Sequence, residues 1–241
     1  MSRNYELMRE MDGNQVLSSS RSIGPSFIPE ERCNRALPRQ LAGDVMEDLV
    51  QRVFLQTTQK QPRMVVFAAI DHGNGCSQIA ASVAAALAAN TRGVVCLVEG
   101  NFRSPGLPRM LGMTDRRGLT DSLLEEGSIQ SFIDPIWSGS LWLLSSGSLG
   151  ANSPSLLTSE RMRERFAELR KTFDFLIVDA PPLSRYADAI TLGQLSDGMV
   201  LVVEAESTRR NTTLAAAKKV RSSRVQVLGA VLNKGTLPIP T

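Results

Sequence analysis

Six short apolar runs, "MVVFAAI", "GVVCLVE", "LWLLSS", "DFLIVDA", "GMVLVVEA" and "VQVLGAVLN", recur between residues 64 and 233 with almost no alternation of polar and apolar positions. A strand with one wet face alternates, so runs of this kind belong to strands buried on both faces. That is the condition of a parallel sheet covered by helices. Helical patterns at 77–90, 118–126, 155–171, 186–195 and 207–223 fill the intervals. The alternation predicts an α/β chain with a three-layer, open, mostly parallel sheet flanked by helices. Another helical pattern precedes the first run in "AGDVMEDLVQRVFLQ", with Val45, Leu49, Val50 and Phe54 at helical spacing and Asp44 as its cap. Residues 1–40 lack periodicity and are rich in Ser, Arg, Asn and Pro. They read as a flexible N-terminal extension, leaving 41–241 as one domain.

The turn after the first run, "DHGNGCSQIAAS", has the layout of a phosphate-binding loop: strand, glycine-bearing turn, helix N-terminus. Such a loop cradles phosphates with backbone N–H groups, neutralises them with a lysine and holds magnesium through a Ser or Thr hydroxyl. Gly73, Asn74, Gly75, Cys76, Ser77 and Gln78 are the cofactor-binding candidates here, and Cys76 stands where the lysine is expected. The strict G-x-x-x-x-G-K-[ST] pattern also fails at its first glycine, where the chain has Ile70. In "FDFLIVDAPP" an apolar strand delivers Asp179 to its C-terminal end, where a carboxylate can orient a magnesium-bound water; Ser77 and Asp179 are the magnesium candidates.

Composition limits the alternatives. No run of about 18 apolar residues is present and the N-terminus lacks the apolar core of a signal peptide, so a cytosolic chain is expected. Three dispersed cysteines and one histidine supply neither a disulfide framework nor a zinc site. Cys76, at a helix start, invites a redox role, but reads more simply as a small residue tolerated without the lysine. Cys96 reads as core and His72 as an exposed loop residue. The segment "TRRNTTLAAAKKVRSSR" is basic, and reads first as a solvated face and second as a contact for an acidic partner, anionic lipid or nucleic acid. No aromatic residue interleaves its charges, which argues against single-strand stacking.

The segment "VVCLVEGNFRSP" carries a resemblance to the MinD/ParA-type P-loop ATPases, and specifically to the bacterial polysaccharide tyrosine autokinases of the CpsD/CapB type. The family's strand ending in Asp-x-Asp, followed by Leu-Arg-x-Pro, is matched by Glu99, Gly100, Asn101, Phe102, Arg103, Ser104 and Pro105. The likeness continues through "GLTDSLLEEGSIQSFI", "LWLLSSGSLGANSPSLLTSERM", "FDFLIVDAPPLSRYADAITL" and "VLGAVLNK", over roughly residues 42–235. It implies ATP or ADP with Mg as cofactors, Asp179 and Glu99 as catalytic residues, and Asn233 near the adenine. It also implies work in the synthesis or export of an extracellular polysaccharide.

Three family positions have changed: lysine to Cys76, the first acidic residue to Glu99, the second to Asn101. The tyrosine-rich tail is absent, with only Tyr5 and Tyr186 in the chain, and the Glu-x-x-Arg-x-x-Arg pattern is not matched around Glu47 and Arg52. The expectation is a pseudokinase with nucleotide binding weak or absent, acting as a regulator or scaffold. As the resemblance implies, it would sit at the inner membrane through a chain-length regulator or an active kinase paralogue, with a homo-oligomer possible and DNA not a favoured partner. The alternatives are an active ATPase or tyrosine kinase in which Arg103 or Lys234 reaches the phosphates, and a MinD/ParA-type positioning ATPase using the basic 208–224 helix.

Overall fold

Each expected apolar run forms a strand: β1 Met64–Ala69, β2 Val95–Glu99, β4 Leu141–Leu144, β5 Phe175–Ala180, β6 Gly198–Glu204 and β7 Val227–Asn233. The computed structural model describes residues 44–55, 61–114, 117–137, 139–148 and 153–235, so the extension expected over 1–40 lies outside the described residues. The sheet has seven strands in the order β3-β4-β2-β5-β1-β6-β7. All its pairings are parallel except that of β3 (Asp134–Trp137) with β4, which is antiparallel. The short β3 was not expected from sequence; it carries Pro135, a residue confined to sheet edges because it has no N–H to donate.

The strands divide their side chains between two cores. Val65, Phe67 and Val200 face the side covered by α2 (Cys76–Asn90) and α1 (Asp44–Val50), whereas Val66, Val178 and Leu201 face α4 (Leu119–Leu124), α6 (Glu160–Thr172), α7 (Asp188–Gln194) and α8 (Arg210–Ser222). Helix α2 is apolar nearly all round because it lies between the sheet and α1; Val50 and Phe54 close its outer side, Phe54 meeting Phe175 edge-on at 5.9 Å. Burying Phe54 stabilises by about 2–3 kcal/mol. Helix α2 ends where Thr91 N and Oγ1 both bond to Leu87 O. Helix α1 begins at Asp44 itself rather than after it, and passes into a single π turn at Gln51–Leu55.

The helix expected over 155–171 is two helices, α5 (Ser153–Leu156) and α6. Ser159 makes the break: its Oγ donates to Leu156 O at 2.6 Å and accepts from Met162 N at 3.2 Å, ending one helix and capping the next. A short helix α3 (Leu107–Met110) also lies in the stretch after β2, where none was expected. Among the described residues no helix is long and apolar enough to cross a membrane.

Candidate functional site

β1 and β5 are adjacent and parallel, yet β1 leads into α2 on one face while β5 leads into α7 on the other. A crevice opens where neighbouring connections part in this way, outside the carboxyl ends of the strands. The loop after β1 and the end of β5 both lie there. Asp71, His72, Gly73, Asn74, Gly75, Cys76, Ser77 and Gln78 line a cavity of about 240 Å³ with Asn101 and Ser104 on its far wall. The six cofactor-binding candidates of the loop are thus brought to one cavity.

Long-range contacts from β7 set the loop's shape. Asn74 is buried: its Oδ1 accepts from Asp71 N at 2.8 Å and its Nδ2 donates to Glu204 Oε2 at 3.1 Å. Asn233, the seventh candidate, donates from Nδ2 to Asn74 O at 2.9 Å. It braces the loop from behind and is not part of the cavity wall. Gly75 has φ +82°, and a Cβ there would sit 2.4 Å from Asn233 Nδ2, so the position requires glycine twice over. Lys234 Nζ donates to Gly73 O at 2.9 Å and pairs with Glu204 Oε1 at 3.1 Å. Hydrogen bonds from Lys234 and Asn74 hold the Glu204 carboxyl below its ordinary range.

Ser77 Oγ donates to Asp179 Oδ2 at 2.6 Å, so the two magnesium candidates meet. Asp179 is 1% exposed and its Oδ1 accepts no hydrogen bond. Burial pushes its carboxyl up to about 7; Ser77 and the Cys76 thiol pull it down, and the Glu99 carboxylate beside it on β2 pushes it up. The Cys76 thiol is raised well above its usual range by burial first and by Asp179 second. Burial thus opposes the lowering that a helix N-terminus gives a thiolate and favours the neutral thiol, which argues against a redox role.

Glu99 is placed differently from a strand-end acid facing a ligand. Its Oε1 accepts from Gly106 N at 2.5 Å and Leu107 N at 2.7 Å, and its Oε2 accepts from Ser146 N at 3.0 Å. The carboxylate is 1% exposed and ties the start of α3 to the loop after β4. The family resemblance implies a catalytic role at this position, whereas the side chain is committed to backbone amides 7, 8 and 47 residues away. Arg103 bonds to Asp188 Oδ2 at 2.9 Å, and its guanidinium lies 4.7 Å from the centre of the Tyr186 ring.

The residues present fit part of a magnesium nucleotide. The first turn of α2, whose N–H groups have no intrahelical partner, lines the cavity and so supplies the elements of an anion cradle. The Ser77 hydroxyl and Asp179, with its orphan oxygen, are the oxygen donors a magnesium ion takes. The charged part is lacking: no Lys or Arg is among the residues described as lining the cavity.

No protein-family model matches the chain. Among curated proteins it is 27% identical over 196 residues to the tyrosine-protein kinase YwqD of Bacillus subtilis, covering 81% of this chain and 82% of the relative. It is 27% identical over 220 residues to the succinoglycan biosynthesis transport protein ExoP of Rhizobium meliloti, covering 85% of this chain but 28% of ExoP. Among solved structures the chimerical protein CapA2B2 superposes with a TM-score of 0.74 at 24% identity, over 79% of this chain and 83% of that one. The septum site-determining protein MinD of Pyrococcus horikoshii, complexed with Mg-ADP, superposes with a TM-score of 0.60 at 19% identity, over 70% of this chain and 69% of that one. The structural likenesses show the P-loop α/β fold, and the sequence relatives carry the assignment further. In sequence the chain is similar to bacterial tyrosine-protein kinases of the YwqD, CapB and CpsD type, and in structure it has the MinD-like P-loop α/β fold.

Proposed function

We propose that this chain is a catalytically degenerate member of its family, a pseudokinase that regulates or scaffolds polysaccharide synthesis and export. The observation that carries this reading is Cys76: a buried thiol stands at the lysine position of a loop whose cavity wall holds no Lys or Arg among the described residues. Losing one charge-assisted phosphate contact removes about 1.5–3 kcal/mol, or about one to two decades of affinity. Phosphoryl transfer loses more, because it depends almost wholly on positioning and on stabilising charge in the transition state. Ser77 and Asp179 would hold a magnesium ion, which would supply positive charge to offset that of the phosphates. Toward it this chain offers only Ser77 and a carboxyl that burial biases toward its protonated form near neutral pH.

The rival reading is an active ATPase or tyrosine kinase that borrows a cation. Lys234 would have to leave both Gly73 O and Glu204, and Arg103 would have to leave Asp188 and Tyr186. A positioning ATPase of the MinD type shares the fold, but the curated relatives point to tyrosine-protein kinases. ExoP, 28% of whose length matches this chain, is named as a transport protein of succinoglycan biosynthesis. This supports a membrane chain-length regulator, or an active paralogue, as the docking partner and the inner membrane as the place of work.

Calorimetric titration with ATP and magnesium decides between the readings. The natural protein is expected to bind weakly or not at all, and Cys76→Lys to gain at least tenfold, with unfolding midpoints checked in parallel because the site is buried. Micromolar binding with turnover in the natural protein would overturn the pseudokinase.

A further inference from the structure

We infer that the exposed flank of α8 is a docking surface for the anionic headgroups of a phospholipid bilayer. Residues 208–235 contain seven basic side chains, Arg209, Arg210, Lys218, Lys219, Arg221, Arg224 and Lys234, and no acidic one. Removing them from the chain's 27 basic residues leaves 20 against 24 acidic ones, so the positive charge of the protein is gathered in this segment. Lys234 is engaged with Glu204. The other six are exposed, and among the described residues none forms an ion pair.

The spacing concentrates them. Arg210, Leu214, Lys218 and Arg221 stand at i, i+4, i+8 and i+11 on α8 and so share one flank of the helix. Val220 packs inward with Ala216 and Ala217 against the sheet, and this flank lies about 100° around the helix from that buried stripe, open to solvent. Leu214 sits within the row of cations and is 42% exposed. A basic flank interrupted by an exposed leucine matches an anionic bilayer, where cations meet headgroups and the apolar side chain enters the acyl boundary.

Other occupants fit less well. On a second copy of the chain the acidic group of α6 and the turn after α4 is a weak match, because Glu125, Glu160, Glu164 and Glu168 are each engaged by an arginine of their own chain. Single-stranded nucleic acid lacks a stacking partner, since no aromatic residue occurs in 205–235. No described helix can span a membrane, so the contact is peripheral. It is independent of whether the loop after β1 binds nucleotide.

The test is flotation of the full chain with vesicles of phosphatidylcholine alone or containing about 30% phosphatidylglycerol. Binding is expected only to the anionic vesicles, and to fall steeply between about 50 and 500 mM salt. Each cation near such a surface contributes about fivefold in affinity, so Arg210→Glu, Lys218→Glu and Arg221→Glu together should weaken binding at least about a hundredfold. Arg92→Glu, Arg109→Glu and Arg185→Glu, which change net charge equally off this helix, should leave most of it. Absence of anionic-vesicle binding at low salt, equal losses in the two triple variants, or tighter binding to duplex DNA than to vesicles would each overturn the assignment. Unchanged thermal midpoints in both variants separate a lost surface from a lost fold.

Discussion

Replacing Glu99 by glutamine asks whether the acid at the end of β2 is a reacting group or a clamp. Its two oxygens take three backbone N–H groups, from Gly106, Leu107 and Ser146, in a site 1% exposed to water. Glutamine keeps the shape but has one accepting oxygen. The least costly flip keeps that oxygen on Gly106 and Leu107 and turns its NH₂ toward Ser146 N–H. One charge-assisted bond is then lost and two become neutral, at about 1.5–3 kcal/mol for the lost bond and about 1 kcal/mol for each weakened one. Part returns through Asp179, whose carboxyl no longer has a negative neighbour pushing it up. The net loss is about 2–4 kcal/mol, a drop of about 1 M in the urea midpoint for a domain of this size. Glu99→Ala, which leaves all three donors bare and a cavity beside them, should cost about 4–6 kcal/mol. Equilibrium urea unfolding followed by circular dichroism reads both. An unchanged midpoint in Glu99→Gln, accompanied by loss of nucleotide binding or turnover, would refute the clamp and return Glu99 to the chemistry.

Asp179 supplies a pH signature. Its folded value of about 7 lies above the 3.8 of a free carboxyl, so the native state holds a proton that the unfolded chain has released, and stability falls as pH rises from about 4 to 7. Asp179→Asn should flatten that window by up to about 4 kcal/mol, read as urea midpoints at a series of pH values. Gly75→Ala should destabilise by about 1–3 kcal/mol, through its left-handed φ and the clash with Asn233, and thermal melting would show it. Arg165 is 1% exposed and donates to the carbonyls of Ser122, Glu125 and Gly127 as well as to Glu168. Arg165→Ala should therefore cost about 3–5 kcal/mol, well beyond the effect expected of an exposed helix arginine, and differential scanning calorimetry would register it.

What was legible in the sequence was what neighbouring residues decide together. Unalternated runs such as "FLIVDA" announce strands buried on both faces, and β5 has that form, with every residue buried. The loop after β1 and Asp179 were found because strand ends in such a sheet converge on one edge. Ser159 could have been recognised, since a serine before "ERMRERF" is a capping signal that divides α5 from α6. The edge strand β3 carried no such mark: it is four residues long, contains a proline and is fixed by pairing with β4 alone. The burial of Arg165 carries no local mark, because the carbonyls of Ser122, Glu125 and Gly127 that hold it lie 38 to 43 residues away in the chain. Glu99 and Asn233 were assigned by analogy to ligand contacts, whereas each is held by backbone groups distant in sequence, Asn233 by a carbonyl 159 residues away.

These placements explain how the loop can keep its form after losing its lysine. The loop's curvature is held by hydrogen bonds of the chain itself. Asn74 closes it through Asp71 N, and Asn233 and Lys234 pull on Asn74 O and Gly73 O from the end of β7. Glu99 does the same for the opposite wall, fixing α3 and the loop after β4 with three backbone amides. The side chain at position 76 takes part in none of these hydrogen bonds. It lies beneath the loop against Asp179, where a thiol leaves a buried carboxyl to adopt its protonated form and a lysine would hold it ionised. Substitution at that position therefore changes the charge of the cavity with little effect on its walls, and a chain so built keeps a structured surface at the C-terminal edge of its sheet whether or not it keeps a reaction.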